Sequence, residues 1–314
     1  MEETCLKQQY YILNKSFKKK LVFHLGFDAG FFSEYNNMIL AMLYCLTEKI
    51  QFVLYSKDAN FGYEKGWTDY FLPFCDEISD DFNKKYNFRD YEFFRQKLNK
   101  KDKLKIRFHK LIHGIDFFTQ DLWLLIRDRE HEKKVYNIPE LGIKDSSLRD
   151  ACRSLINITW EYNPIVKTLI KDKINSLNLP DEYIGFHIRR GDKVVEQELI
   201  DISAYFQKIE ETFKKNAFIL TDDYRVISEI REKYPQWNIY TLCKETEIGY
   251  NHANFKRGDK AVIRDSHINL FASLDILSLS QCFIGTFGSN PGMFLGMRTT
   301  QGKCISLDVD WQIW

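Results

Sequence analysis

Apolar and polar positions change their period along this chain. Beyond residue 180, short apolar runs alternate with stretches of helical period. Tyr183 to Ile188 predicts a buried strand, Ile202 to Phe213 a helix, and Ala217 to Leu220 a strand. Tyr224 to Tyr234 then predicts a helix, Asn238 to Leu242 a strand, and Lys260 to Ser280 a long helix. Cys282 to Gly285 predicts another strand, a short helix begins at Pro291, and Cys304 to Leu307 closes the series. Strands separated by helices of this length imply βαβ units and a mostly parallel sheet. Such sheets hold ligands at the carboxyl ends of their strands. The first 180 residues are less regular: a strand at Leu21 to Leu25, a helix at Ser33 to Thr47, a strand at Gln51 to Leu54, and a largely helical stretch over 82–173. The change of pattern around Ser176 to Pro180 predicts a boundary between domains at 1–178 and 179–314. The expected fold class is therefore α/β, with a Rossmann-like parallel sheet in the second domain.

A length of 314 residues supports two domains with ample core. Hydrophobic residues at 44% and charged residues at 28% exclude bulk disorder. With 45 Lys and Arg against 44 Asp and Glu, the net charge of +1 argues against a nucleic-acid binder, which needs a basic face. Met1 to Lys20 is polar and lacks the apolar core of a secretory signal. The apolar stretch Met38 to Leu46 falls far short of the ~20 residues of a membrane span. No transmembrane segment is expected. The seven cysteines show no C-x-x-C and no zinc spacing, so reduced thiols and a cytoplasmic location are expected.

Three features carry chemistry. His187-Ile-Arg-Arg-Gly-Asp-Lys193 directly follows a strand, and guanidinium groups at a strand's carboxyl end give bidentate bonds to phosphate. Thr221-Asp-Asp223 ends the next strand. Its acids either shape a donor pocket and orient a sugar hydroxyl, or cap the following helix. Thr286-Phe-Gly-Ser-Asn-Pro291 marks a helix start after a strand, and free N–H groups there suit an anion. Asp308-Val-Asp310 matches a metal-binding D-x-D, a spacing common by chance. The histidines show no H-E-x-x-H or other ligand spacing. Arg95 to Lys110 reads as a solvated basic face, with docking to an anionic lipid or acceptor as the alternative, so peripheral membrane contact stays open. Aromatics at 15% suit a carbohydrate-facing surface and equally a large core.

The order H-x-R-R-x-D-K, T-D-D, T-F-x-S resembles the α-1,6-fucosyltransferase family, a GT-B-like group also classed as glycosyltransferase family 23. Tyr205, Lys233-Tyr-Pro235, Leu274-Asp-Ile276, Leu279-Ser-Gln281 and Thr286-Phe-Gly-Ser289 fall in the family's order. The likeness runs from Ile184 to about Met297. Upstream, Gly26-Phe-Asp-Ala-Gly30 and Gly66-Trp-Thr-Asp-Tyr-Phe71 look like the family's glycine loop and its G-W-x-x-x-F.

The resemblance implies transfer of L-fucose from GDP-fucose to a glycan hydroxyl, with inversion and no metal or other cofactor. It implies that Arg189 and Arg190 stabilise the leaving β-phosphate, Arg190 catalytically, helped by Thr286, Gly288 and Ser289. His187 and Asp275 would read the guanine, with Asp265 as the alternative to Asp275. Asp192, Asp222 and Asp223 would shape the donor pocket. Glu196 would be the base, with Glu198 as runner-up and Lys193 tuning it. The chain is one residue shorter than the family pattern between Lys193 and Tyr205, and two shorter between Asp275 and Thr286. A transferase for another sugar nucleotide and a non-catalytic GDP-sugar binder remain open alternatives. Acceptor identity and oligomeric state are not readable. Residues 1–180 sum to +4 and residues 181–314 to −3. Phosphate binding in the acidic half must then rest on a few placed cations, not on a general field.

Overall fold

A computed structural model describes residues 5–26, 29–89, 98–190, 199–209, 213–249, 259–299 and 303–313. The chain divides into two compact units: Met1–Asn163 with Trp314, and Pro164–Ile313. The boundary expected at 178/179 thus falls one helix late. Pro164–Ser176 goes with the second unit, packed on the helix Lys260–Leu279. Helical period shows that a segment is amphipathic, but not which core its apolar face joins.

The first unit contains α1 (Leu6–Lys15), β1 (Lys19–His24), α2 (Phe31–Thr47), β2 (Ile50–Tyr55) and β3 (Phe117–Phe118). Its three strands are parallel in the order β2-β1-β3. β2 is buried at every position, as expected of a strand covered on both faces. α1 is not announced by the sequence, where residues 1–20 are polar. It is held by a buried side chain: Asn14 Nδ2 donates to Phe52 O at 2.9 Å and Asn14 Oδ1 accepts from Phe52 N at 2.7 Å. The G-W-x-x-x-F motif is core, with Trp67 stacked on Phe71 at 4.4 Å between ring centroids. Its glycine is required. Gly66 sits at φ +84°, and an added Cβ would lie 1.9 Å from Ser56 O.

The stretch 82–173 is less uniformly helical than its sequence suggests. It holds α3 (Phe82–Tyr86), α4 (Lys100–His113), α5 (Thr119–Ile126), α6 (Leu148–Thr159) and α7 (Pro164–Ser176). Between α5 and α6 lies an antiparallel hairpin, β4 (Tyr136–Ile138) and β5 (Ile143–Ser146). Strands this short display too few alternations to announce themselves.

The second unit follows its predicted alternation closely. It runs β6 (Ile184–Ile188), α8 (Ile202–Phe206), β7 (Asn216–Thr221), α9 (Tyr224–Lys233), β8 (Asn238–Tyr240), α10 (Lys260–Leu279), β9 (Cys282–Gly285), α11 (Asn290–Arg298) and β10 (Cys304–Ser306). All five strands are parallel, in the order β10-β9-β6-β7-β8. α8 stops at Phe206, short of the expected Phe213. Ile209 and Phe213 still pack on the core from outside the helix, so their apolar period survives without it. β8 stops at Tyr240, where the Thr241 hydroxyl takes over and donates to Ile219 O at 2.8 Å.

This order is the doubly wound arrangement, and its winding reverses between β6 and β9. A crevice at the carboxyl ends of those two strands is where such sheets bind ligands.

Candidate functional site

The strand register assembles the site. Ile188 pairs with Thr221 across β6 and β7, and Phe186 pairs with Ile284 across β6 and β9. Continuing each strand by one or two residues brings Arg189-Arg190, Asp222-Asp223 and Thr286 to one edge of the sheet. The three motifs, scattered over about a hundred residues of sequence, therefore meet at the switch point.

Of the two acids, Asp223 takes the helix-capping role, and Asp222 turns to the arginine pair. Asp222 Oδ1 accepts from the backbone N–H of Arg190 at 2.8 Å, and its Oδ2 lies 3.9 Å from Arg189 Nε. Asp223 caps α9, accepting from Arg225 N at 3.0 Å, and is embraced by the Arg225 guanidinium at 2.5–3.0 Å. That guanidinium holds the Asp223 carboxyl below the usual carboxylate range. The Arg190 side chain donates to Ile200 O at 2.9 Å.

The loop after β9 is built to present backbone. Ser289 caps α11, its Oγ accepting from Gly292 N at 3.2 Å and donating to Thr286 O at 3.1 Å. The turn is so tight that a Cβ on Gly292 would lie 1.7 Å from Thr286 O. The N–H groups of Phe287 and Gly288 donate to Asp308 Oδ1 and Oδ2 at 2.8 and 2.9 Å. Asp308 Oδ1 also accepts from the Ser306 hydroxyl and from Val309 N. The first acid of the D-x-D thus organises the loop by accepting four hydrogen bonds. Sequence inspection weighed it only as a metal ligand. The parallel pairing of Ser306 with Gly285 is what brings it there.

His187 is buried beneath this edge, and its Nδ1 has no hydrogen-bond partner among the described residues. Burial first, and then the Arg189 charge, push its pKa down to about 3, so the imidazole is neutral. Asp275 lies on α10 and pairs with Arg298 of α11 at 2.5 Å, a partner not anticipated from sequence. Asp265, its alternative, is exposed on α10. Asp192, Lys193, Glu196 and Glu198 lie outside the described residues.

In the first unit, the glycine segment after β1 is tied by a buried acid. Glu34 accepts from Gly26 N and Ala29 N, each at 3.1 Å, and pairs with Arg89 at 2.9 Å. Among the described residues, one group has donor atoms suited to a metal ion. Asp80, His109 and His113 place one donor each within 4.8 Å of one another. The four-residue spacing of the two histidines, which puts both on one face of α4, is a ligand spacing that the sequence reading passed over.

Solved structures share this fold at low sequence identity. The α-1,6-fucosyltransferase NodZ, soaked with GDP-fucose, superposes with a TM-score of 0.53 at 11% identity, covering 90% of this chain and 93% of that one. A mutant of Arabidopsis thaliana FUT1 in complex with GDP gives 0.51 at 14% identity, covering 95% and 74%. Residues 152–290 match the family model for alpha-(1,6)-fucosyltransferase N- and catalytic domains. The Drosophila melanogaster alpha-(1,6)-fucosyltransferase is 26% identical over 138 residues, covering 40% of this chain and 21% of its own length. Over that segment the chain is similar to the α-1,6-fucosyltransferases. It spans about a fifth of the length of the curated relative it matches.

Proposed function

We propose that the protein is an inverting fucosyltransferase that moves L-fucose from GDP-fucose to a glycan hydroxyl without a metal ion. The observation that carries this reading is the set at the switch point: two arginines at the end of β6, beside a buried His187 whose Nδ1 awaits a partner. A nucleoside diphosphate completes both. Its pyrophosphate meets Arg189 and Arg190, and its base meets the neutral imidazole. The similarity of residues 152–290 to fucosyltransferases supports GDP-fucose as the donor.

As GDP departs, negative charge grows on the β-phosphate, and fixed cationic donors lower the barrier most where that charge develops. Arg190 supplies this stabilisation, with Arg189 beside it and the positive end of the α11 dipole close by. Asp222 does not shape the pocket by touching sugar in this reading. It holds the arginine pair in place. Asp223 supports the same edge by fixing the start of α9. Thr286, Gly288 and Ser289 set the backbone of the loop that faces the phosphates. For Asp275, guanine N1–H and N2–H would share a carboxylate that Arg298 already holds.

The acceptor hydroxyl must lose a proton during inversion. Glu196 takes it, with Glu198 as the alternative, and Lys193 tunes that carboxylate. Asp192 contributes to the donor pocket. The N-terminal domain, 1–178 by sequence pattern, serves the acceptor, and the work is done in the cytoplasm. No helix among the described residues is long and apolar enough to cross a membrane.

Thermal-shift titrations with GDP, GDP-fucose, GDP-mannose and UDP-sugars, paired with a product assay, test the reading. GDP and GDP-fucose should stabilise the protein, and GDP should be released when a glycan acceptor is added. Stabilisation by a UDP-sugar alone, or GDP binding with no turnover on any acceptor, would overturn it.

A further inference from the structure

α4 turns an apolar stripe to water. Leu104, Phe108, Leu111 and Ile112 are 69, 62, 78 and 61% exposed, and no residue of the helix is fully buried. At 3.6 residues per turn these four fall within an arc of roughly 100°. Lys105 borders the stripe on one side, Lys100, Arg107 and Lys103 lie on the other, and Lys101 falls within the arc at the helix start. The opposite face does the anchoring. Ile106 packs on the cluster of Val22, Val53 and Phe118, and His109 stacks on Phe82 at 3.8 Å between ring centroids. Asp102, the helix's acid, is on that inner side and accepts from the Tyr86 hydroxyl at 3.0 Å.

We propose that this outer face docks the first unit on an anionic lipid surface. The apolar stripe enters the boundary between headgroups and acyl chains, and the flanking cations sit over the lipid phosphates. Charge selects this occupant. An apolar stripe with cations on both borders and no acid on that face matches an apolar layer under an anionic one. A second copy of the chain is disfavoured, because a two-fold contact would set these lysines against themselves. A nucleic acid would satisfy the lysines and leave the stripe in water.

Sedimentation of the full chain with lipid vesicles tests this. The chain should pellet with phosphatidylcholine vesicles containing a third phosphatidylglycerol, and roughly tenfold less with phosphatidylcholine alone. High salt should weaken the binding. The variant Leu104→Ser/Phe108→Ser/Leu111→Ser, altered only at exposed positions, should keep its circular dichroism and lose the vesicles. No pelleting with anionic vesicles, or equal pelleting by the serine variant, overturns the proposal. So does a concentration-dependent dimer that the serine variant abolishes.

The inner face of α4 carries a second, independent site. The geometry points to zinc or a similar divalent transition ion held by Asp80, His109 and His113. His109 Nε2 lies 3.6 Å from Asp80 Oδ2, and the two imidazole centroids are 4.3 Å apart. Tetrahedral zinc, with N and O donors at about 2.0–2.1 Å, places neighbouring donors roughly 3.3 Å apart, so small side-chain shifts close the set. The ion would tie α4 to the segment before α3, with water as the fourth ligand. Zinc should raise the unfolding midpoint of the full chain and leave that of His113→Ala unchanged. His113 is exposed, so the variant retains its packing. No rise in the parent chain, or an equal rise in the variant, overturns the site.

Discussion

The backbone N–H of Arg190 donates to Asp222 Oδ1 at 2.8 Å, joining the ends of β6 and β7. The same carboxylate lies beside Arg189. One acid thus fixes both arginines of the H-x-R-R motif from a strand 32 residues away. Hydrogen bonds to a charged group contribute roughly 1.5–3 kcal/mol. Asp222→Ala should therefore weaken GDP binding by about ten- to a hundredfold, since the arginines lose their setting. Asp222→Asn keeps an acceptor for the N–H and should recover part of the loss. Calorimetric titration with GDP reads both. Unchanged affinity in the alanine variant would remove Asp222 from the account.

Asp223 should behave differently despite being its neighbour. Its carboxylate caps α9 and pairs with Arg225, so Asp223→Ala should cost about 1 kcal/mol of stability. GDP affinity should change little. Its folded pKa is lowered, so its contribution is complete above the ordinary carboxylate range and is lost as pH falls through the folded value. Urea denaturation paired with GDP titration separates the neighbours. A large affinity loss for Asp223→Ala would show that the carboxylate faces the donor.

Asp308 is predicted to be a loop organiser, not a metal ligand. In Asp308→Ala, the Gly288 N–H loses its acceptor and the Phe287 N–H keeps only the longer bond to Ser306 Oγ at 3.3 Å, at a cost of about 1–3 kcal/mol. The variant should melt earlier and bind GDP more weakly. Transfer by the parent chain should survive EDTA. Activity abolished by chelator and restored by Mn²⁺ would return the D-x-D to the reaction.

Acid should destabilise the fold through two buried imidazoles. The pKa of His187 is pushed down to about 3 and that of His267 to about 4, both chiefly by burial. These folded values lie below the unfolded value of about 6.5, so protons favour the unfolded chain. Each contribution is complete above about pH 6.5 and is lost towards the folded pKa, at up to ~1.4 kcal/mol per pH unit. Denaturation in urea at several pH values across that window should show stability falling with pH. A flat profile would mean that these imidazoles are not neutral in the fold.

Sequence made the second unit legible because each strand there is a covered apolar run and each helix spans several turns. Ile184–Ile188 and Cys282–Gly285 needed no tertiary knowledge. α1 escaped because its buried surface is small and its anchor, Asn14, is polar. The hairpin β4–β5 escaped because its strands are too short to show a period. At the site, residue types at strand ends were readable, since position along a strand fixes which edge a side chain reaches. Partnerships were not. Nothing local joins Asp308 to Gly288, Arg298 to Asp275, or Asp222 to Arg190, because sheet order and register create those contacts. Such pairings decide which of two adjacent acids holds the arginine pair and which caps a helix.

The most direct test of the central claim is fucose transfer by Arg190→Ala, measured beside GDP binding. If Arg190 stabilises the departing β-phosphate, transfer from GDP-fucose should fall by roughly 10²-fold or more, with weakened GDP affinity and an intact fold. An Arg190→Ala protein that transfers fucose and binds GDP as the parent does would contradict the account.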